Sequence, residues 1–148
     1  MTEFSYDSNP PNPTAVPLAT QARWLEESFY VFWREGVSSV FWYLVRDQPV
    51  DDFNTSYFSG VYFYNGTKKP SFEAYRFPLL VMPYRRGATV WGISPRSGRV
   101  AVEHQTGRSW KTLFGSTARA GGVRNISASL CGNFRAVIDG ETNLTWRR

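Results

Sequence analysis

The sequence predicts an α/β segment followed by an all-β segment, and three observations lead there. An amphipathic stretch ending at Gly36 runs directly into a nearly continuous apolar run, residues 37–45, interrupted only by Ser38 and Ser39. From residue 86 onward, short alternating segments are separated by turn signals instead. The composition shifts between these regions. Residues 1–78 hold nine acids and six bases, whereas residues 79–148 hold three acids and eleven bases. With 148 residues in all, the chain accommodates two small domains, 1–78 and 79–148.

Thr2, Glu3, Phe4, Ser5 and Tyr6 read as the end of a strand. Pro10, Pro11, Pro13 and Pro17 then exclude both helix and paired strand from residues 7–17, because proline donates no backbone hydrogen bond. A helix is expected over residues 20–35, with Thr20 as its N-cap. Ala22, Leu25, Phe29, Phe32 and Trp33 recur at three-to-four spacing and define its buried stripe, while Arg23, Glu26, Glu27 and Arg34 lie mostly off it. Gly36 supplies a left-handed cap. Residues 38–46 then read as a strand covered on both faces, since a near-continuous apolar run suits a buried parallel strand. That run stops at Arg46 and Asp47, and the long loop from Gln48 to Gly60 follows it. In α/β folds the chemistry gathers at such strand ends, and long loops there commonly bind ligands. Asn65-Gly66 signals a tight turn, and a short helix is expected over residues 71–76.

The order of these parts carries a resemblance. Thr-Glu-Phe, a proline-rich loop, Gln-Ala-Arg-Trp-Leu, Val-Phe-Trp-Tyr, Ser-Gly-Val-Tyr and Lys-Pro-Ser-Phe-Glu-Ala-Tyr-Arg follow one another across residues 2–78. Together they resemble the last quarter of a (β/α)8 TIM-barrel glycoside hydrolase of the retaining clan A type, like families 5 and 39. The resemblance implies that residues 2–6 end strand seven, that 20–35 is helix seven, that 38–46 is strand eight and that 69–77 is helix eight. It implies a carbohydrate substrate, no cofactor and no metal. It also implies that the rest of the barrel precedes this segment in a parent chain.

Retaining glycosidases use two carboxylates about 5–5.5 Å apart, one as nucleophile and one as acid/base. Glu3 falls where the resembled enzymes carry the nucleophile, and the acid/base would come from a strand this sequence does not contain. Glu26, Glu27 and Glu73 cannot replace it, because each belongs to a helix face expected to point outward. The chain is therefore expected to be inactive by itself. Trp42 matches a tryptophan that supports the sugar at the cleavage point, since an indole face stacks on the apolar face of a pyranose. Core filling is the plainer reading of the same residue. Period-two alternation groups Trp42 with Leu44 and Arg46 on one face. Arg46, Asp47, Tyr6, Asp7 and Asp51 are candidates for sugar hydroxyls, with solvated loop residues as the alternative.

In the second half, residues 89–93, 99–105, 109–114, 123–129, 133–138 and 142–146 read as strands. Turns are expected at 95–98, 106–108, 121–122, 131–132 and Asp139-Gly140. Regular spacing of this kind predicts a small immunoglobulin-like β-sandwich. Trp91, Trp110 and Trp146 sit among alternating apolar neighbours and are assigned to its core rather than to a sugar-binding face. A non-catalytic carbohydrate-binding or interaction module is the rival reading for the whole chain.

The net charge of +5 raises nucleic acid as a partner. Arg99, Arg108, Arg119, Arg124 and Arg135 are spread one per strand or turn, however, and so argue against it. Cys131 is the sole cysteine and His104 the sole histidine, so neither an internal disulfide nor a histidine–cysteine metal set is expected. No run approaches the length of a membrane span, and the first four residues lack the features of a signal peptide. A fragment would leave the compartment open, and secretion is compatible with the four Asn-x-Ser/Thr sequons at Asn54, Asn65, Asn125 and Asn143.

Overall fold

The computed structural model describes residues 3–84, 87–128 and 132–146. The chain divides into two compact units, Met1–Tyr75 and Arg76–Arg148.

In the first unit, strands β1 (Ser8–Asn9) and β2 (Val16–Pro17) pair in parallel. The proline-rich segment thus does form a short pairing, because Ser8, Asn9 and Val16 retain the N–H groups that proline lacks. Helix α1 (Leu18–Arg34) begins two residues before the expected Thr20 cap, with Pro17 as its N-cap residue and no side-chain cap bond. Its end is the expected one. Gly36 has φ +75, its N–H bonds to the Trp33 carbonyl, and the Val37 N–H bonds to the Phe32 carbonyl. Those two bonds make a Schellman cap, which requires a left-handed residue at this glycine. Ala22 and Leu25 are buried as the stripe predicts, but Trp33 is 41% exposed and Glu26 is fully buried. Glu26 was expected to face outward. It is instead paired with Arg23 at 2.6 Å, the one-turn spacing that lets a charge be buried with its partner. Helix α2 (Pro70–Arg76) closes this region.

The barrel reading is overturned. Among the described residues, 18% are helical and 36% lie in strands, with two helices and mostly small sheets, which is not an α/β TIM-barrel fragment. Residues 38–46 do not form the expected strand eight. The segment makes single parallel bridges only, Trp42 to Phe4 and Arg46 to Tyr62. Leu44 lies between them at φ 138, a conformation a branched side chain rarely adopts, and it interrupts the extended run. Nor is the run covered on both faces, since Phe41 is 64% and Val45 71% exposed.

The second unit is antiparallel throughout. One sheet has the order β3 (Leu79–Tyr84), β4 (Gly87–Ile93), β7 (Val123–Ala128). The other has the order β6 (Ser109–Ala118), β5 (Gly98–Thr106), β8 (Phe134–Ile138), β9 (Glu141–Thr142). Leu79, Val81, Val90, Val102, Phe134 and Ile138 belong to one buried cluster fed by both sheets, the arrangement of a sandwich core. Period-two alternation explains the selection, since β8 reads buried, half-buried, buried along its length. Asp139 (φ 47) and Gly140 (φ 82) make the expected two-residue turn between β8 and β9. Strand β3 was not anticipated, because Pro78 and Pro83 flank and interrupt it. It lies at a sheet edge, where a missing N–H is tolerated. Cys131 and Ser129 lie outside the described residues, as do the side chains of Arg124 and Asn125.

The three tryptophans take different places. Trp91 is fully buried, but on the sheet face opposite Val90, with Leu80 across from it. Trp146 packs against the shared core. Trp110 is half-buried and lies under the Arg135 guanidinium, 4.3 Å from ring centroid to Cζ, so it is a surface platform rather than a core filler.

Candidate functional site

Glu3 is exposed, and the chain next to it is held firmly. The Phe4 N–H bonds to the Phe41 carbonyl at 3.2 Å, and the Tyr43 N–H bonds to the Phe4 carbonyl at 3.0 Å. In a parallel pair, bridged residues project to the same side. Phe4 and Trp42 therefore share a side, and their rings meet edge to face at 5.7 Å. Alternation about that bridge sends Glu3, Phe41 and Tyr43 to the other side. Tyr57 joins them, with its ring 5.3 Å from that of Tyr43.

Trp42 thus belongs to an aromatic cluster on the side away from Glu3. Phe4 packs on Tyr6 and on Phe32 of α1, each at 5.1 Å, and Tyr6 packs on Trp24 at 5.0 Å. The Trp42 indole N–H donates to the Ser59 carbonyl at 2.8 Å, which fixes the ring. The Tyr6 hydroxyl is 3.2 Å from that of Ser28. Along this cluster runs an open groove of about 480 Å³, lined by Phe4, Tyr6, Trp24, Glu27, Ser28, Val31 and Phe32.

Asp47 has a different fate from the neighbouring Arg46. Arg46 and Asp51 are exposed, whereas the Asp47 side chain is 1% exposed and lies 2.6 Å from the Lys69 ammonium. Lys69 Nζ also donates to Ser8 Oγ and to the Phe58 carbonyl, each at 2.8 Å. The Gly60 N–H donates to Asp47 Oδ1 at 2.9 Å. A Cβ at Gly60 would lie 2.5 Å from the Asp47 backbone nitrogen, so only glycine admits this approach. Asp7 is tied to the same region by the Phe58 N–H, 3.0 Å from its Oδ1. Burial pushes the Asp47 carboxyl up, against the opposing pull of Lys69 and the Gly60 N–H. Burial likewise pushes the Lys69 amine down, against the opposing pull of Asp47.

A lysine amine within hydrogen-bonding distance of a serine hydroxyl is the spacing of a base and its nucleophile. Here both side chains are sealed from solvent, so no substrate reaches them. The cluster is a brace joining residues 8, 47, 58, 60 and 69. Sequence reasoning identified Asp47 as a site residue and missed Lys69 and Ser8. The available signal was a charged residue at each end of otherwise apolar or aromatic stretches, with nothing to say that the two meet.

Backbone alternation thus puts Glu3, Phe41 and Tyr43 on one side of the bridge, while the rings of Tyr6 and Trp42 pack 6.3 Å apart on the other. Arg46 and Asp51 join neither group. Among the described residues there is no cluster of three or more metal-ligating side chains. Among the same described residues, no helix is long and apolar enough to cross a membrane. No protein-family model matches the chain, and no curated protein is similar to it.

Proposed function

We propose that this chain is the nucleophile-bearing part of a retaining O-glycoside hydrolase acting on carbohydrate, catalytically incomplete by itself. The observation that carries this reading is the parallel pairing of Phe4 with Trp42. It anchors the backbone beside Glu3 through two hydrogen bonds while leaving the carboxylate open to solvent. A nucleophile needs both properties, a fixed approach and access to the substrate. Phe41, Tyr43 and Tyr57, on the same side, supply aromatic faces for a sugar ring, the role that sequence reasoning had given to Trp42. Among the other carboxylates, Glu26 is committed to Arg23 and Asp47 to Lys69. The acid/base is assigned to no residue of this chain.

The test avoids the missing acid. A 2-deoxy-2-fluoroglycoside bearing a dinitrophenolate leaving group needs no protonation to depart. A Glu3 carboxylate oxygen forms a bond to the anomeric carbon, the bond from that carbon to the aryl oxygen breaks, and dinitrophenolate leaves with the electron pair. Incubation with gluco, galacto, manno and xylo versions should give one covalent adduct by intact mass. That adduct should map to Glu3 and be absent from Glu3→Gln. An adduct that persists in Glu3→Gln, or no adduct with any of the sugars, overturns the reading.

A further inference from the structure

The stretch from Glu3 to Tyr6 is bonded along one edge. In an extended chain, successive residues direct their backbone groups to opposite edges. Phe4 spends both its N–H and its C=O on the segment at residues 41–43, so those of Ser5 face the other way. Among the described residues, no backbone hydrogen bond engages Ser5. An unpaired edge of this kind is a template for a further strand.

The same stretch sends Phe4 and Tyr6 into the groove against α1. The helix contributes Trp24, Glu27, Ser28 and Val31, which fall at one-turn and two-turn spacing along a single stripe. Trp24 is 40% and Val31 42% exposed, large apolar surface left open beside the unpaired edge. Glu27 is the one charged residue among the groove-lining side chains.

We propose that this face docks an extended segment of another polypeptide, which adds as a strand to the Ser5 edge. Its alternate side chains fill the groove, apolar ones against Trp24 and Val31 and a lysine or arginine against Glu27. Backbone hydrogen bonds to Ser5 supply affinity, and the groove supplies selectivity for apolar side chains and one cation. A neutral sugar fits less well, because the lining is mainly apolar and aromatic and its one charged residue, Glu27, is an anion. This inference does not depend on the role of Glu3.

The probe is a short capped peptide of alternating valine and threonine, with lysine replacing one valine. Companion peptides carry glutamate in place of that lysine, or N-methyl groups on one or the other alternate set of backbone nitrogens. Tryptophan fluorescence titration reads affinity, and amide hydrogen exchange reads Ser5. The lysine peptide should bind and slow Ser5 exchange at least about tenfold, a change of about 1.4 kcal/mol. One N-methylated peptide should lose about tenfold or more in affinity, and the other should bind like the parent. Glu27→Lys should reverse the preference between the lysine and glutamate peptides. Equal binding by both N-methylated peptides, unchanged Ser5 exchange, or no binding by any peptide overturns the proposal. Concentration-dependent dimerisation that protects Ser5 without peptide assigns the face to a second copy and overturns it as well.

Discussion

The two units differ in what fills them. Among the described residues of Met1–Tyr75, the buried hydrophobics are Ala22, Leu25, Phe58, Val61 and Ala74. They are outnumbered by buried polar or charged residues, including Ser8, Gln21, Glu26, Asp47, Ser59 and Lys69. Among the described residues of Arg76–Arg148 the proportion is reversed, and only Ser94 and Asn143 interrupt an apolar interior. The surfaces invert in step. Trp24, Trp33, Phe41, Val45, Phe53 and Tyr64 are exposed in the first unit, whereas Leu113 is the only exposed large hydrophobic among the described residues of the second. Chain with little regular sheet must satisfy its backbone and side chains one bond at a time, and buried polar groups do that work. A sandwich satisfies its backbone through ladders and can keep its interior apolar. The first unit is thus specified by directional bonds, and the second by volume and alternation.

Breaking the brace should separate them most sharply. Lys69→Met leaves Asp47 buried without its countercharge and should destabilise the first unit by about 3–5 kcal/mol. Hydrogen exchange read by mass spectrometry should show faster exchange in residues 3–75, with the strands of the second unit unchanged. Adding Asp47→Asn should recover part of the loss, because the uncompensated charge is then gone. Additive losses would remove the ion pair from the account.

The counterpart in the second unit is Ile138→Val, which deletes one methylene-sized group from the shared core. It should cost about 0.5–1.5 kcal/mol, and exchange should rise only in the strands of that unit. Gly36→Ala, at φ +75, should cost roughly 1–2 kcal/mol and act on the end of α1, since a Cβ is strained in that conformation. An Ala variant as stable as the parent would show that the cap relaxes.

Titration sharpens the same contrast. The folded Asp47 carboxyl lies above its ordinary 3.8, so the folded chain binds more protons than the unfolded one between those values. Its contribution to stability is therefore largest below 3.8 and is lost as pH rises through the folded value. The folded Lys69 amine lies below its ordinary 10.5, so the sign reverses there and stability recovers as pH climbs towards 10.5. Urea midpoints for the first unit should trace this dip, and Asp47→Asn/Lys69→Met should flatten it. The smallest effect belongs to Trp110→Ala, about 0.5–1 kcal/mol in the second unit, because it removes a half-exposed contact with Arg135. A loss of several kcal/mol would return Trp110 to the core.

What was legible in the sequence is what local chemistry decides. The stripe of Ala22 and Leu25, the left-handed Gly36, the Asp139-Gly140 turn and the alternation along β5 and β8 follow from period and backbone freedom. Each depends on residues a few positions apart. Only tertiary structure decided that residues 38–46 would make isolated bridges, because an apolar run does not state which neighbours will pair with it. It also decided that Glu26 is buried beside Arg23, that Trp42 turns away from Glu3, and that Trp110 lies under Arg135 instead of in the core. Lys69 meets Asp47 across 22 positions and Ser8 across 61, and no local pattern encodes either meeting. Those contacts arise where backbone segments cross, so periodicity and spacing alone cannot supply them.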